Sequence, residues 1–339
     1  MVHVGLIGAG NISDTHARAA AAVPGVTIAA VYGPTRARAE QLASKFGACV
    51  FDSLEAMLTH RPLDMVAIGT PSGRHAEEGI AAAKQRLHVL VEKPIDVTAA
   101  RADELIAETD RAGVRLAVIF QDRLKPDIRR VKEIIASGGL GQPILATAHV
   151  KWYRAPEYYA ESRWRGTRAL DGGGALMNQG IHTVDLLLWL FGPVKRVFGR
   201  AATELHRIEV EDTAVALLEF ENGALGTIEA TTAAYPGYSR RVELTGSEGT
   251  LVLDGDTLTA IDLRNASQAQ RASAGQASIS ASSPVVADAS AHQRVFEDFV
   301  RAVVTGARPA CDGREGRQSV AVIEAIYESA RTGRMVEPK

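Results

Sequence analysis

Short apolar runs alternate with longer amphipathic stretches over the first third of the chain. Val2–Ile7, Val26–Tyr32, Met65–Ile68, Leu87–Val91 and Leu116–Phe120 are rich in Val, Ile and Leu. Between them, His16–Ala22, Arg36–Phe46, His75–Lys84 and Ala99–Ala112 are polar or Ala-rich with helical spacing. Strand and helix alternating at this rhythm predict βαβ units, hence a parallel sheet covered by helices on both faces.

Beyond Gln121 the pattern changes. Asp127–Ala136, behind Pro126, reads as a helix ended by Gly138-Gly139. Ile144–Lys151 reads as a strand, Trp152–Arg168 as a polar aromatic loop and Ala175–Leu190 as a helix. Val194–Thr203, Thr213–Glu219, Ala224–Ala233, Arg241–Thr245 and Thr250–Asp254 then follow without long helices between them, and Asn222-Gly223 signals a hairpin. Serial strands of this kind predict a mostly antiparallel sheet. Ser267–Ser290 reads as a flexible surface loop, and His292–Val304 and Glu315–Arg331 as helices. The expected class is α/β, with a doubly wound parallel sheet over residues 1–122. An α+β domain over 123–339 follows, its last helices free to pack back on the first domain.

Length and charge narrow the partners. A chain of 339 residues suits two domains, and a net charge of -2 gives no basic excess for nucleic acid or an anionic membrane. The longest apolar run, Leu186–Phe191, is far short of the ~18 residues a membrane helix needs. The first residues lack a basic start and a long apolar stretch, so a cytoplasmic location is expected. Cys49 and Cys311 cannot build a disulfide framework and are expected as buried thiols.

The candidate chemistry lies at strand ends. Gly8-Ala9-Gly10-Asn11-Ile12-Ser13 follows the first strand and opens a helix. Gly8 permits a tight turn, Gly10 admits a pyrophosphate close to the backbone, and the helix terminus offers amide donors to phosphate. Ser13 replaces the third glycine of the usual pattern. After the second strand, an acidic residue would bind the ribose 2′-hydroxyl and select NAD. Gly33 stands there instead, with Thr35, Arg36 and Arg38 nearby to meet a 2′-phosphate, so the sequence leans to NADP over NAD. Glu92-Lys93-Pro94 closes the Leu87–Val91 strand at the ligand-bearing edge. A partly desolvated Lys93 beside a cationic nicotinamide would shed its proton more readily and serve as acid or base. At 3.6 residues per turn, Asn178, His182 and Asp185 share one helical face behind Gly172-Gly173-Gly174. No second His or Cys stands at ligand spacing from His182, so no metal is expected.

Gly8-Ala9-Gly10-Asn11-Ile12, Thr70-Pro71-Ser72 with His75, Glu92-Lys93-Pro94 and Gly172 through His182 together resemble the glucose–fructose oxidoreductase, inositol dehydrogenase and rhizopine-catabolism (Gfo/Idh/MocA) family. Trp164-Arg165-Gly166-Thr167 and Asp312-Gly313-Arg314-Glu315 extend the resemblance over nearly the whole chain. It implies a Rossmann domain, then a large open sheet that forms a dimer or tetramer interface. It further implies hydride exchange between NAD or NADP and a sugar or polyol, with Lys93 and His182 as the catalytic pair. Thr70, Pro71, Ser72, His75, Glu92 and Gln121 join the expected cofactor contacts. Inositol-dehydrogenase-like members carry Asp four residues before the histidine, where this chain has Asn178. A neutral amide cannot stabilise an imidazolium as a carboxylate would, so Asn178 is expected to orient His182 or bind substrate. Arg123, Tyr153, Arg154, Tyr158, Trp164, Arg165 and Asp171 complete the expected substrate contacts. A non-catalytic dinucleotide sensor and an NAD-dependent glycoside hydrolase are the alternatives.

Overall fold

The computed structural model describes residues 1–265 and 289–339. Two compact units emerge. Met1–Gln121 and the stretch ending at Arg317 form the first, while the stretch beginning at Asp122 and Gln318–Lys339 form the second.

The first unit is a six-stranded parallel sheet in the order β3-β2-β1-β4-β5-β6. Its strands are β1 (Val2–Ile7), β2 (Val26–Tyr32), β3 (Cys49–Phe51), β4 (Met65–Ile68), β5 (His88–Val91) and β6 (Leu116–Val118). The connecting helices include α1 (Asn11–Ala21), α2 (Arg36–Ser44), α4 (His75–Lys84) and α5 (Ala99–Ala112), with the short α3 (Leu54–Leu58) before β4. Val4, Leu6, Ile68, Val89 and Leu90 are fully buried, as expected of strands covered on both faces. The order reverses at β1, between β2 and β4, which is where a sheet of this kind opens a crevice for ligand. The Ser290–Thr305 helix also belongs here and packs on α1.

The second unit is a seven-stranded sheet in the order β13-β12-β11-β7-β10-β9-β8. The strands are β7 (Pro143–Lys151), β8 (Val194–Ala202), β9 (Thr213–Phe220), β10 (Leu225–Thr231), β11 (Arg241–Gly246), β12 (Gly249–Asp254) and β13 (Thr257–Leu263). All neighbours are antiparallel except β7 and β10. Asn222-Gly223 does turn β9 into β10: Gly223 takes φ +87°, and the Asn222 side chain accepts from Ala224 N at 3.0 Å. Ala214, Ala216, Leu218 and Phe220 of β9 are buried, and Phe220 meets the ring of Phe191 at 5.2 Å. On the other face Leu217 and Leu225 remain more than half exposed, and Val215 and Leu145 lie there too.

Several expectations are corrected. The first helix begins at Asn11, directly on the glycine loop, because Gly10 caps it with extended backbone. The Leu116–Phe120 run pairs only as far as Val118. Pro126 opens α6 (Pro126–Ala136) in its first turn, and the Trp152–Arg168 loop contains a helical turn, α7 (Pro156–Ala160). Ala175–Leu190 is not one α-helix: Ala175–Gly180 is π-helical and α8 (Ile181–Phe191) follows. Cys49 is exposed on the edge strand β3, whereas Cys311 is buried. The Ser267–Ser290 loop lies almost wholly outside the described residues, and Ser290 begins a helix.

Candidate active site

In the first unit the glycine loop is shaped by close approaches. Gly8 takes φ +112°, and a Cβ there would sit 2.8 Å from the Gly69 carbonyl oxygen and 2.9 Å from Ser13 Oγ. At Gly10 a Cβ would meet nothing within 4 Å, and no side chain caps the helix it precedes. The first amides of α1 are therefore left without a capping side chain, as pyrophosphate binding requires. Among the described residues Ser13 Oγ and Gln121 Oε1 are buried without a hydrogen-bond partner. These residues fit a dinucleotide: Gly8, Gly10, Asn11 and Ile12 would hold the phosphates.

The end of β2 is more specific than the sequence suggests. A Cβ on Gly33 would lie 2.9 Å from Ala9 Cβ, so Gly33 lets the two loops touch. Arg36 is committed to Glu40 and Asp52. Arg38 is exposed and has no carboxylate partner among the described residues. Thr35 precedes α2 with no side-chain capping bond.

At the end of β5, Glu92 is a buried carboxylate held from three sides. His16 Nε2 lies 2.9 Å from Oε1, His292 Nε2 lies 3.8 Å from the same oxygen, and the Lys93 amide donates to Oε2 at 3.0 Å. Burial alone would raise the Glu92 carboxyl, but the two histidines hold it well below its ordinary value. Burial pushes His16 down, so a neutral ring donates to an ionised carboxylate. The three ligand-capable atoms lie within 4.8 Å of one another. Sequence reading missed this clamp, because nothing local links His16 and His292 to Glu92. His75 works alongside it: its Nδ1 lies 2.8 Å from the Pro94 carbonyl oxygen and its Nε2 2.9 Å from that of Thr70. Buried His75 thus ties Thr70-Pro71-Ser72 to the segment bearing Lys93 rather than projecting into solvent. The hydroxyl of Thr70 in turn donates to buried Glu78 at 2.5 Å.

In the second unit the triple glycine is explained by packing. A Cβ on Gly173 would sit 2.2 Å from Tyr327 Oη, and one on Gly174 2.0 Å from the Glu211 carbonyl oxygen. The Glu211 carboxylate accepts from Gly174 N at 3.0 Å, Leu176 N at 2.8 Å and Tyr327 Oη at 2.8 Å. It fixes the start of the π-turn. His182 and Asp185 turn towards neighbouring residues of one segment: His182 Nδ1 lies 4.0 Å from Asp122, and Asp185 forms a bidentate pair with Arg123 at 2.8 and 2.6 Å. Asn178 instead donates to Asp171. Burial would raise the Asp122 carboxyl, but Arg240, Lys125 and His182 keep it far below the carboxylate range. The buried anion beside His182 is thus Asp122, where the family resemblance pointed to residue 178.

Most of the remaining candidates of this unit gather around Gln179 and Tyr158. Gln179 donates to Tyr158 Oη at 3.0 Å and to Asn178 Oδ1 at 2.8 Å, and accepts from Arg154 at 2.8 Å. Arg165 stacks 4.2 Å from the Tyr158 ring centroid and also approaches Trp164. Asp171 is buried and accepts from Gly166 N. Tyr153 packs edge-on against Tyr235. Arg123 is buried against Asp185 and Trp189, a structural pairing.

A doubly wound parallel sheet with an uncapped glycine-loop helix end has the form of a dinucleotide-binding protein. Residues 2–120 match the oxidoreductase family with an NAD-binding Rossmann fold, and residues 128–252 match the GFO/IDH/MocA C-terminal domain. The chain belongs to the GFO/IDH/MocA family. D-xylose 1-dehydrogenase (NADP(+)) 2 of Haloferax volcanii is 30% identical over 91% of this chain and 91% of its own. Myo-inositol 2-dehydrogenase of Thermotoga maritima is 26% identical over 99% of this chain and 98% of its own. The WlbA dehydrogenase of Bordetella pertussis, solved with NADH and UDP-GlcNAcA, superposes with a TM-score of 0.90 at 32% identity, covering 99% of this chain and 97% of that one. Relatives of this family are named for the oxidation or reduction of sugars and polyols, and this chain is likewise a CH–OH oxidoreductase. Among the described residues no helix is long and apolar enough to cross a membrane.

Proposed function

We propose that the protein catalyses reversible oxidation of a hydroxyl carbon of a sugar, polyol or sugar derivative, with Lys93 and His182 in proton transfer. The observation that carries the reading is Lys93 itself. It lies two residues past β5 at the carboxyl edge of the sheet, and its backbone amide is held by the Glu92 carboxylate. When bound, a nicotinamide dinucleotide supplies the hydride donor or acceptor. Lys93 exchanges the proton of the reacting hydroxyl. His182, with anionic Asp122 at its Nδ1, shares or polarises that proton. Tyr153, Tyr158, Trp164, Arg165, Asp171 and Asn178 contact the substrate, and Asn178 is held for this by Asp171 and Gln179.

Arg38, with no carboxylate at the end of β2 to repel a 2′-phosphate, supports NADP as cofactor. The half-exposed apolar strip of Leu217, Leu225, Val215 and Leu145 supports assembly into a homodimer or homotetramer through the open sheet face. The test is a fluorescence titration with NADH and NADPH, then turnover on a sugar and polyol panel with Lys93→Met. Lys93→Met keeps cofactor affinity and loses about 10²–10⁴-fold in kcat, the usual weight of acid–base catalysis. Full turnover in Lys93→Met removes the acid–base assignment; no binding of either dinucleotide removes the oxidoreductase reading.

A further inference from the structure

We propose that Arg154 and Arg165 form a receptor for an anionic group, carboxylate or phosphate, carried by the substrate. The inference rests on the reading of the chain as a sugar oxidoreductase and names the substrate class of that site.

Buried arginines elsewhere in this unit are matched by carboxylates. Arg123, 3% exposed, forms a bidentate pair with Asp185, and Arg240, 7% exposed, is paired with Asp122 and Asp256. Arg154 is 6% exposed and breaks the rule. Among the described residues its guanidinium donates to neutral oxygens alone, Tyr153 O at 3.1 Å and Gln179 Oε1 at 2.8 Å, and its buried Nε–H meets no acceptor. Arg165, half-buried, donates to the Tyr158 carbonyl at 3.4 Å, and its Nε–H is likewise buried and unanswered. Among the described residues neither guanidinium has a carboxylate within ion-pair distance.

The pair also share surroundings. The Tyr158 ring lies 4.2 Å from Arg165 and 5.5 Å from Arg154, and Trp152 and Trp164 flank them at 5.2 and 5.6 Å. Aromatic faces orient a cation without neutralising it. Burial pushes the Arg154 guanidinium below its ordinary value, and the charge of Arg165 pushes in the same direction, while Tyr158 and Tyr159 oppose them. Two like charges gathered on one aromatic ring, one of them buried, favour an anion between them, and forked N–H donors suit oxyanions. Sugar hydroxyls would satisfy the stray N–H groups but not the charge. The receptor is wired to the reacting end: Gln179 joins Arg154 to Asn178, four residues before His182.

The test is calorimetric titration of protein saturated with NADH or NADPH, using D-glucuronate, UDP and D-glucose as probes. At least one anion is expected to bind about 10-fold or more tightly than glucose; glucuronate alone identifies a carboxylate receptor, and UDP alone a phosphate receptor. Arg165→Gln is expected to weaken the anion about 10- to 100-fold, with dinucleotide affinity and melting temperature unchanged, and Arg165→Lys to restore part of the loss. Arg154→Gln is a secondary variant, since its burial puts folding at risk. Anions binding no better than glucose, or unaffected by Arg165→Gln, overturn the proposal while turnover on neutral sugars leaves the oxidoreductase reading standing. Absence of dinucleotide binding by the unsubstituted protein overturns that reading, and the receptor with it.

Discussion

Replacing Glu92 separates its charge from its shape. Glu92→Ala strands the His16 Nε2–H and the Lys93 N–H, both within 3.0 Å of a carboxylate oxygen, and opens a void among buried groups. Removing one side of a buried charge network costs about 3–5 kcal/mol. Glu92→Gln is gentler. Its amide oxygen still accepts from Lys93 N, and its NH2 meets a His16 ring that can move its proton to Nδ1, which has no partner now. The loss is then chiefly charge assistance, about 1–3 kcal/mol. Acidity adds a signature. The Glu92 carboxyl lies well below its ordinary 4.5, so its contribution is complete above that value and is lost as pH falls through the lower, folded value. His16 lies below its ordinary 6.5, so its contribution begins to fade once pH drops beneath 6.5. Glu92→Gln removes the first component and keeps the second. Hydrogen exchange at pH 7 and at stepped acidic pH, read on peptides covering His88–Val91 and Asn11–Ala21, resolves the first unit without assuming two-state unfolding of the whole chain. Unchanged protection in both variants at pH 7, with an acid profile like the parent's, would refute the clamp.

Arg38→Ala should weaken NADPH by about 10-fold while leaving NADH within a factor of two, measured by fluorescence titration; equal losses for both would show that Arg38 does not meet the 2′-phosphate. Leu217→Arg, in the middle of the open sheet face, should shift the protein to a smaller species in analytical ultracentrifugation without loss of secondary structure. An unchanged sedimentation coefficient would move the interface elsewhere.

Most of the architecture was readable because it rests on local periodicity. The β1–α1–β2 entry, with Gly8 and Gly10 at its turn, and the Asn222-Gly223 hairpin are both written in contiguous residues. What escaped has a physical reason in each case. β3 is a three-residue edge strand, too short for a pattern, and its exposed edge is why Cys49 faces solvent. The π-turn at Ala175–Gly180 is imposed by Glu211 gripping the amides of Gly174 and Leu176, a contact across the unit that no 3.6-residue count can anticipate. Arg123 looked like a ligand residue at a strand end, but a buried Asp185 absorbs its charge. The Glu92 clamp was invisible because its histidines come from opposite ends of the chain. Gly33 was read for the carboxylate it lacks, whereas its contact with Ala9 depends on how two loops meet.

The interrupted path of the first unit bears on biosynthesis. Its parallel sheet is complete by Val118, yet β6 is bonded along its far edge by Cys311, and Glu92 is approached by His292. A nascent chain that has exposed only Met1–Gln121 therefore holds a half-built module, with a bare strand edge and one histidine of the clamp missing. Completion waits until the entire intervening sheet domain has been translated. A gene fragment ending at residue 121 would inherit that unfinished state permanently, so the dinucleotide module is not a detachable cassette that recombination could pass intact to another protein.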